Sequence, residues 1–322
     1  MTKTRGETAR LDDAARAGWL YYVAGNTQDQ IAAKLGISRQ SAQRLVSLSV
    51  SAGLIRVRLD HPLAACLDLA DALRRRYGLT TVEIVPTDPG SSSTVLGVAE
   101  ACAGEMERRL AQPDPITLAV GTGRTLKAAV ENLPKMSCPQ HRIVSLTGNI
   151  SSDGSASVYN VVYIMANTLQ QARHYPMPLP VVVSCFSERA LLHEQKVVQN
   201  TLALAGEADV AFVGVGELGP RAPLLADGFI TREETVELDE AGAVGEIVGW
   251  AYNRDGEVLD CPHNERVASA PIPSTERCEV IAVAMGQAKR AGIRAAIRGR
   301  LVNGLITDEA TAAALLADET GD

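Results

Sequence analysis

The sequence predicts an α/β protein in two parts: a small N-terminal winged helix-turn-helix and a larger Rossmann-like domain built on a mostly parallel sheet. Three observations carry this. Residues 26–59, NTQDQIAAKLGISRQSAQRLVSLSVSAGLIRVRL, hold two short apolar-faced segments joined at Gly36-Ile37 and followed by a strand-like run. Beyond Gly78, near-continuous Val/Ile/Leu runs alternate with helical stretches, the pattern of parallel strands covered on both faces. Charge divides at the same place. Residues 1–60 hold nine Lys/Arg and five acids, a net of +4, which leaves −11 of the total −7 for the remainder. A basic head on an acidic body implies that only the head meets a polyanion.

In the head, Ala15, Trp19 and Tyr22/Val23 recur at helical spacing and are expected to form the buried stripe of a first helix, which Gly25-Asn26 ends. Thr27 opens T-Q-D-Q, a capping-box pattern with Gln30. Ile31, Ala32 and Leu35 give the second helix one apolar face. Gly36 suits a turn that needs positive φ, and Ser38 is a natural N-cap for a third helix running to about Ala52, with Ala42, Leu45, Val46 and Ser49 inward and Gly53 at C′. Leu54 to Leu59 then reads as the wing, with Arg56 and Arg58 on one face.

A helix-turn-helix places the N-terminal residues of its second helix against base edges in the major groove. Those residues are Arg39, Gln40, Gln43 and Arg44; Arg can pair bidentately with guanine and Gln with adenine. Thr27, Gln28, Ser38 and Ser41 are placed for phosphates, and Arg56 and Arg58 for backbone or minor groove. Double-stranded operator DNA is therefore the expected partner, with a two-fold related site if heads act in pairs.

His61-Pro62 marks a boundary, and the chain is expected to divide into a head (1–60), a connector helix (61–78) and a body (79–322). Leu63, Cys66, Ala70, Leu73 and Tyr77 form a short heptad-like seam, which either packs on the helix's own domain or joins two copies. Strands are expected at 81–85, 116–120, 142–146, 180–184, 210–215, 246–252, 279–284 and 302–306. Helices are expected near 92–110, 124–133, 158–173, 187–204, 231–240, 286–298 and 308–317.

Ligands of parallel α/β sheets sit beyond the carboxyl ends of the strands. After ITLAV comes Gly121-Thr122-Gly123-Arg124-Thr125 and then a helix: glycines for close approach, free N–H groups at a positive dipole end, two hydroxyls and a guanidinium. After RIVSL comes Thr147-Gly148-Asn149, and after VAFVGV comes Gly216, within the G-V-G of Gly214–Gly216. Three such loops on one edge point to a small polyhydroxyl or phosphate ligand. Asn253 ends the run 245–253 at the start of a turn, and Lys289 begins the helix after strand 279–284, where a lysine opposes the helix dipole unless it faces an anion.

These residues together resemble the SorC family of bacterial transcriptional regulators. The head pattern YY-x3-N-T-Q-x2-I-A-x3-L-G-I-S-R-x-S-x2-R-L carries the resemblance, with G-T-G-R-T-L (121–126), D-V-A-F-V-G-V-G (209–216), G-A-V-G-E-I (242–247) and R-G-R-L-V-N-G-L-I-T-D-E-A-T-A (298–312) in the family's order. The resemblance implies a body similar to sugar-phosphate isomerases and deaminases, a sugar, polyol or sugar-phosphate effector, and a homo-oligomer, dimer or tetramer. It maps effector contacts to Gly121–Thr125, Gly148-Asn149, Gly214–Gly216 and Lys289. Where the family often reads G-R-F-F-D this chain has Gly249-Trp250-Ala251-Tyr252-Asn253, and where two glycines often precede the lysine helix it has Met285-Gly286. Both departures are expected to suit a polyol or an unphosphorylated sugar.

The alternative, a sugar-phosphate isomerase or deaminase, needs a carboxylate base beside the sugar. The three loops show no Asp/Glu cluster, Glu217 being nearest, and the five histidines have neither triad nor metal spacing. No catalytic residue, metal or cofactor is expected. Six scattered cysteines without CxxC, a polar N-terminus and no apolar run of about 18 residues fit a reduced, cytoplasmic protein with no membrane span.

Overall fold

A computed structural model describes residues 2–55, 63–90, 93–151, 154–155 and 160–317, with side chains from Ala9 onward except Ser93. The chain divides into two compact units between Pro62 and Leu63.

The first unit is α1 (Thr2–Tyr22), α2 (Gln28–Leu35) and α3 (Arg39–Ser51). Local chemistry sets each boundary. Thr27 Oγ1 accepts from Gln30 N while Gln30 Oε1 accepts from Thr27 N, which completes the capping box of α2. Gly36 ends α2 at φ +66, and Ser38 Oγ caps α3 by accepting from Ser41 N at 3.2 Å. Ala17, Ile31, Ala32, Ala42 and Val46 form the core, flanked by Leu20, Leu35, Ile37 and Leu45. Full burial of one such Ile contributes about 1.5–3 kcal/mol. The inward face of α1 corrects the sequence expectation. It is Ala14, Ala17 and Gly18, while Trp19 is 54% exposed. A Cβ on Gly18 would stand 2.3 Å from Ser49 Oγ, so α1 and α3 touch where only small residues fit. Of the expected wing, 54–59, Leu54 and Ile55 are described and form no strand, and the remainder, with Arg56 and Arg58, lies outside the described residues, as do His61 and Pro62.

The second unit runs α4 (Ala64–Tyr77), β1 (Thr81–Val85), α5 (Ser93–Leu110), β2 (Thr117–Val120), α6 (Arg124–Glu131), β3 (Met136–Ser137), β4 (Arg142–Ile150), α7 (Val161–Thr168), β5 (Leu169–Gln170) and β6 (Arg173–Pro180). It continues with α8 (Phe186–His193), α9 (Lys196–Gly206), β7 (Val210–Val213), α10 (Pro223–Ala226), α11 (Arg232–Glu240), β8 (Gly245–Ile247), β9 (Trp250–Tyr252) and α12 (Pro262–Arg266). Then come β10 (Glu279–Val283), a 3-10 turn (Gln287–Lys289), α13 (Arg290–Arg298), β11 (Gly304–Asp308) and α14 (Glu309–Ala317). Seven strands form one parallel sheet in the order β1-β11-β10-β7-β2-β4-β6. Its central strands β2 and β7 are wholly buried, as their apolar runs require. No helix among the described residues is long and apolar enough to cross a membrane.

The heptad-like seam of α4 is spent within this unit. Cys66, Ala70 and Leu73 are buried, Tyr77 Oη donates to Leu315 O at 2.8 Å, and the helix packs on β1 and α14. The segment expected to be a separate connector therefore belongs to the body. Two strand expectations also change. The run 246–252 is a hairpin outside the main sheet, β8 antiparallel to β9, because Val248 and Gly249 take φ +49 and +94 and turn the chain. The last strand of the sheet is β6, not 180–184; Pro176 and Pro178 hide it in the sequence, and they are tolerated because β6 is an edge.

Candidate functional site

The chain leaves β2 toward β4 and leaves β7 toward β10, so two adjacent central strands hand it in opposite directions along the sheet. Open α/β sheets take ligands at the carboxyl ends of such a pair. A cavity of about 330 Å3 lies there. That is enough for a small molecule, at the lower end of the usual range of roughly 300–1,000 Å3.

Its base is backbone. Gly121 N donates to Phe212 O at 2.8 Å and carries the β2–β7 ladder past the end of β2. Gly123, at φ +128, is the N-cap of α6, and Thr122, Gly123, Arg124 and Thr125 line the cavity around that helix start. The first N–H groups of the helix have no intrahelical partner and carry its positive dipole end. From β7, Gly214 and Gly216 line the cavity and Gly216 bridges the hairpin: its N donates to Glu246 O at 2.9 Å and its O accepts from Glu246 N at 3.2 Å.

The hairpin supplies the opposite wall. Left-handed backbone at a β-branched residue such as Val248 is costly, and the surroundings hold it. Glu246 Oε2 accepts from Gly249 N at 2.8 Å, and His263 Nε2 donates to Gly249 O at 2.8 Å, which fixes the Nε2–H tautomer of that buried ring. Burial keeps the His263 pKa below the ordinary histidine value.

Charge in the cavity is balanced. Arg124, Arg221 and Lys289 line it together with Glu217, Asp227 and Glu246. Burial pushes the Glu246 carboxyl above the usual range, with the Gly249 N–H and Lys289 pulling it back. Burial pushes the Lys289 ammonium down, while Glu246 and Glu217 support its charge and Arg124 opposes it. Each group of the pair is thus less firmly charged than in water, and small polar ligands can compete for both.

A second site of interest lies on the first unit. Gln40, Gln43, Arg44 and Ser47 are exposed on one face of α3, and with Leu48, Ser51 and Arg10 of α1 they line an open groove of about 510 Å3 without a carboxylate. Arg39 stands beside this face, 3.5 Å from Asp29, with both side chains largely exposed. Such a pair is weak and leaves the guanidinium available.

Comparison with known proteins decides what carries these two sites. A family model for a sugar-binding domain matches residues 61–317. The erythritol catabolism regulatory protein EryD of Brucella abortus is 32% identical over 315 residues, 97% of this chain and 99% of its own length. The chain belongs to the SorC family of transcriptional regulators. LsrR of Enterobacter sp. strain 638, another transcriptional regulator, is 32% identical over 94% of this chain and 92% of its own length. The full-length sorbitol operon regulator SorC from Klebsiella pneumoniae superposes with a TM-score of 0.70 at 25% identity, covering 95% of this chain and 99% of that one. These relatives are regulators and not enzymes. This SorC-family member is likewise a regulator, with DNA and a sugar-type effector as its partners.

In this regulator the cavity brings together Thr122, Gly123, Arg124, Thr125, Gly214, Gly216 and Lys289 of the residues anticipated from sequence, with Gly121 in the backbone beneath. Three others do not join them. Gly148 and Asn149 fall inside β4, which runs on to Ile150, and neither lines the cavity. A Cβ on Gly148 would come within 2.4 Å of the Leu179 and Pro180 carbonyls, so this glycine serves strand packing. Asn253 is a turn residue: its Oδ1 accepts from Asp255 N and Glu257 N, both at 3.0 Å, and its Nδ2 donates to Glu257 Oε2. The position where the family often has aspartate thus closes a turn here and is not part of the cavity lining.

Arg221, Asp227, Glu246 and Val248 were not anticipated as cavity residues, and Thr147 was expected only as the opening residue of the second loop. Glu246 sits in G-A-V-G-E-I and Glu217 just past the third loop, so position in a motif was the available signal. The three loops hold no carboxylate cluster; the fold adds Glu217, from just past β7, Asp227, from the end of α10, and Glu246, from β8, to the cavity lining. Among the described residues no three His, Cys, Asp or Glu side chains group closely enough to hold a metal ion.

Proposed function

We propose that this regulator binds operator DNA through α2 and α3, and that an uncharged polyhydroxyl effector, a polyol or an unphosphorylated sugar, controls that binding from the cavity at the strand ends. The observation that carries the effector class is the charge balance of the cavity, three cations against three carboxylates. Glu246 in particular lies across the loop where a phosphate would seat: a Cβ on Gly216 would stand 1.8 Å from Glu246 Oε1. A carboxylate there repels a phosphate and accepts hydrogen bonds from hydroxyls. Two of the relatives are named for polyols, erythritol and sorbitol, which agrees with this class.

On the DNA, Arg39, Gln40, Gln43 and Arg44 read bases in the major groove, while Thr27, Gln28, Ser38 and Ser41 contact phosphates. Arg10 joins the phosphate contacts, because it flanks the reading face across the same groove. Arg56 and Arg58, which follow α3 in the sequence, add cationic contacts to the DNA backbone or minor groove. Heads work in pairs within a homo-oligomer on a two-fold related operator. Effector and DNA are coupled by linkage, with α4, the first helix of the body after the boundary, transmitting the state of the cavity.

The test is a thermal-shift and calorimetric screen of the full chain against erythritol, D-sorbitol, D-ribose and their phosphate esters. Stabilisation by free polyols or sugars is expected. Stabilisation by the phosphate esters alone would overturn the effector class.

A further inference from the structure

We infer that Thr147 selects the effector by hydrogen-bonding one of its hydroxyls, an assignment that rests on the cavity being the effector site. The starting point is an irregularity in β4. It pairs with β6 at Val144↔Tyr175 and next at Gly148↔Met177, so four steps along β4 are set against two along β6. Bulges of this kind re-aim side chains and gather beside functional sites. Here the bulge is pinned from within and below. Ser145 Oγ donates to Thr147 O at 2.8 Å. Gly148 presses its bare Cα against the Leu179 and Pro180 carbonyls, where a Cβ has no room.

This irregular stretch places Thr147 in the cavity wall. Thr147 is 2% exposed, it lines the cavity, and its Oγ1 is buried with no hydrogen-bond partner among the described residues. A buried hydroxyl without a partner is destabilising, so an orphan retained at a cavity suggests a partner that arrives with the ligand. Three other buried hydroxyls share the orphan state, those of Thr117, Ser269 and Thr307, and none of them lines the cavity. Val181 and Val248 line the cavity as well and offer apolar contact to a carbon chain. A neutral hydroxyl donor and acceptor beside apolar surface fits a C–OH group better than a charged one. The Arg124, Lys289 and Glu246 groups address the rest of the molecule.

The experiment uses the full chain with Thr147→Val, which keeps the shape and removes the hydroxyl, and Thr147→Ser, which keeps the hydroxyl. Erythritol and D-sorbitol are titrated by calorimetry, and the melting temperature is measured without ligand. Thr147→Val is expected to bind the polyol about tenfold more weakly, the scale of one hydrogen bond, with an unliganded melting temperature equal to or above wild type. Thr147→Ser is expected to retain most of the affinity. Unchanged affinity in Thr147→Val would overturn the assignment and leave the effector cavity standing. So would a lowered unliganded melting temperature in Thr147→Val, which marks a structural hydroxyl, or an affinity that Thr147→Ser does not retain, which removes the hydroxyl as the contact. Binding of phosphate esters alone, weakened in the same way by Thr147→Val, would uphold Thr147 and sink the polyol class. Binding of neither class by wild type would overturn both.

Discussion

Replacing Glu246 by glutamine probes the charge balance on which the effector class depends. The amide keeps the size of the side chain and can still accept the Gly249 N–H that Glu246 Oε2 now takes at 2.8 Å. The substitution removes one of the three negative charges facing Arg124, Arg221 and Lys289, so the cavity moves from balanced to net positive. Two unit charges at 4 Å interact by about 4 kcal/mol at an effective dielectric of about 20, and by roughly half that at twice the distance. A phosphate on the Gly214–Gly216 loop would therefore be relieved of about 2–4 kcal/mol of repulsion, on the order of a 30- to 1,000-fold gain. A free polyol would lose a charge-assisted hydrogen bond, about 1.5–3 kcal/mol. Calorimetric titration of wild type and Glu246→Gln with erythritol and erythritol 4-phosphate measures the ratio directly. The expected result is a swing toward the phosphate ester of at least two orders of magnitude. An unchanged ratio would show that Glu246 does not face the effector. The pH dependence follows with a definite sign. The Glu246 carboxyl is raised above the usual range, so on acidification it neutralises before ordinary carboxylates while both arginines remain charged. The ratio of ester to polyol affinity should rise as pH falls, and this rise should shrink in Glu246→Gln, where only Asp227, whose carboxyl burial also raises, is left to neutralise early.

Arg39→Ala should weaken specific operator binding by roughly 1–3 kcal/mol and relax base preference, whereas Arg10→Ala should weaken all sequences alike and reduce the salt slope by about one, both read by mobility-shift titration. Gly148→Ala should destabilise the body by about 1–3 kcal/mol through collision with the Leu179 and Pro180 carbonyls, measured by thermal denaturation. Asn253→Ala should leave effector affinity within twofold while costing stability at the 253–257 turn; a large affinity loss would return Asn253 to the site.

The head was legible because its determinants are local. A capping box at Thr27, a left-handed glycine at 36 and a serine cap at 38 lie within about a dozen residues, and each acts on backbone groups close by. The inward face of α1 was not legible. Trp19 fits a helical stripe by spacing, but the approach of α1 to α3 at Gly18 and Ser49 is a tertiary fact. In the body, apolar runs marked the central strands, and the glycine loops after β2 and β7 marked the cavity, since those strands meet at the switch point of the sheet. The rest of the wall needed the fold. Thr147 reaches the cavity through a bulge that no composition signals, and Glu246 arrives on a hairpin that reads as one strand because Val248 occupies a turn position usually given to glycine or asparagine. The hydrogen bonds that Asn253 makes within its own turn are not visible in the motif it departs from.

The central claim is that one ligand cavity in the body and one DNA-reading face in the head are thermodynamically coupled. The most direct measurement is operator affinity of the full chain, by fluorescence anisotropy, with and without saturating erythritol or D-sorbitol, paired with polyol affinity measured with and without operator. Linkage requires the two ratios to be equal, and a coupling of about 5- to 150-fold is the usual scale. Equal ratios different from one are expected. Polyol binding that leaves operator affinity unchanged would contradict the account.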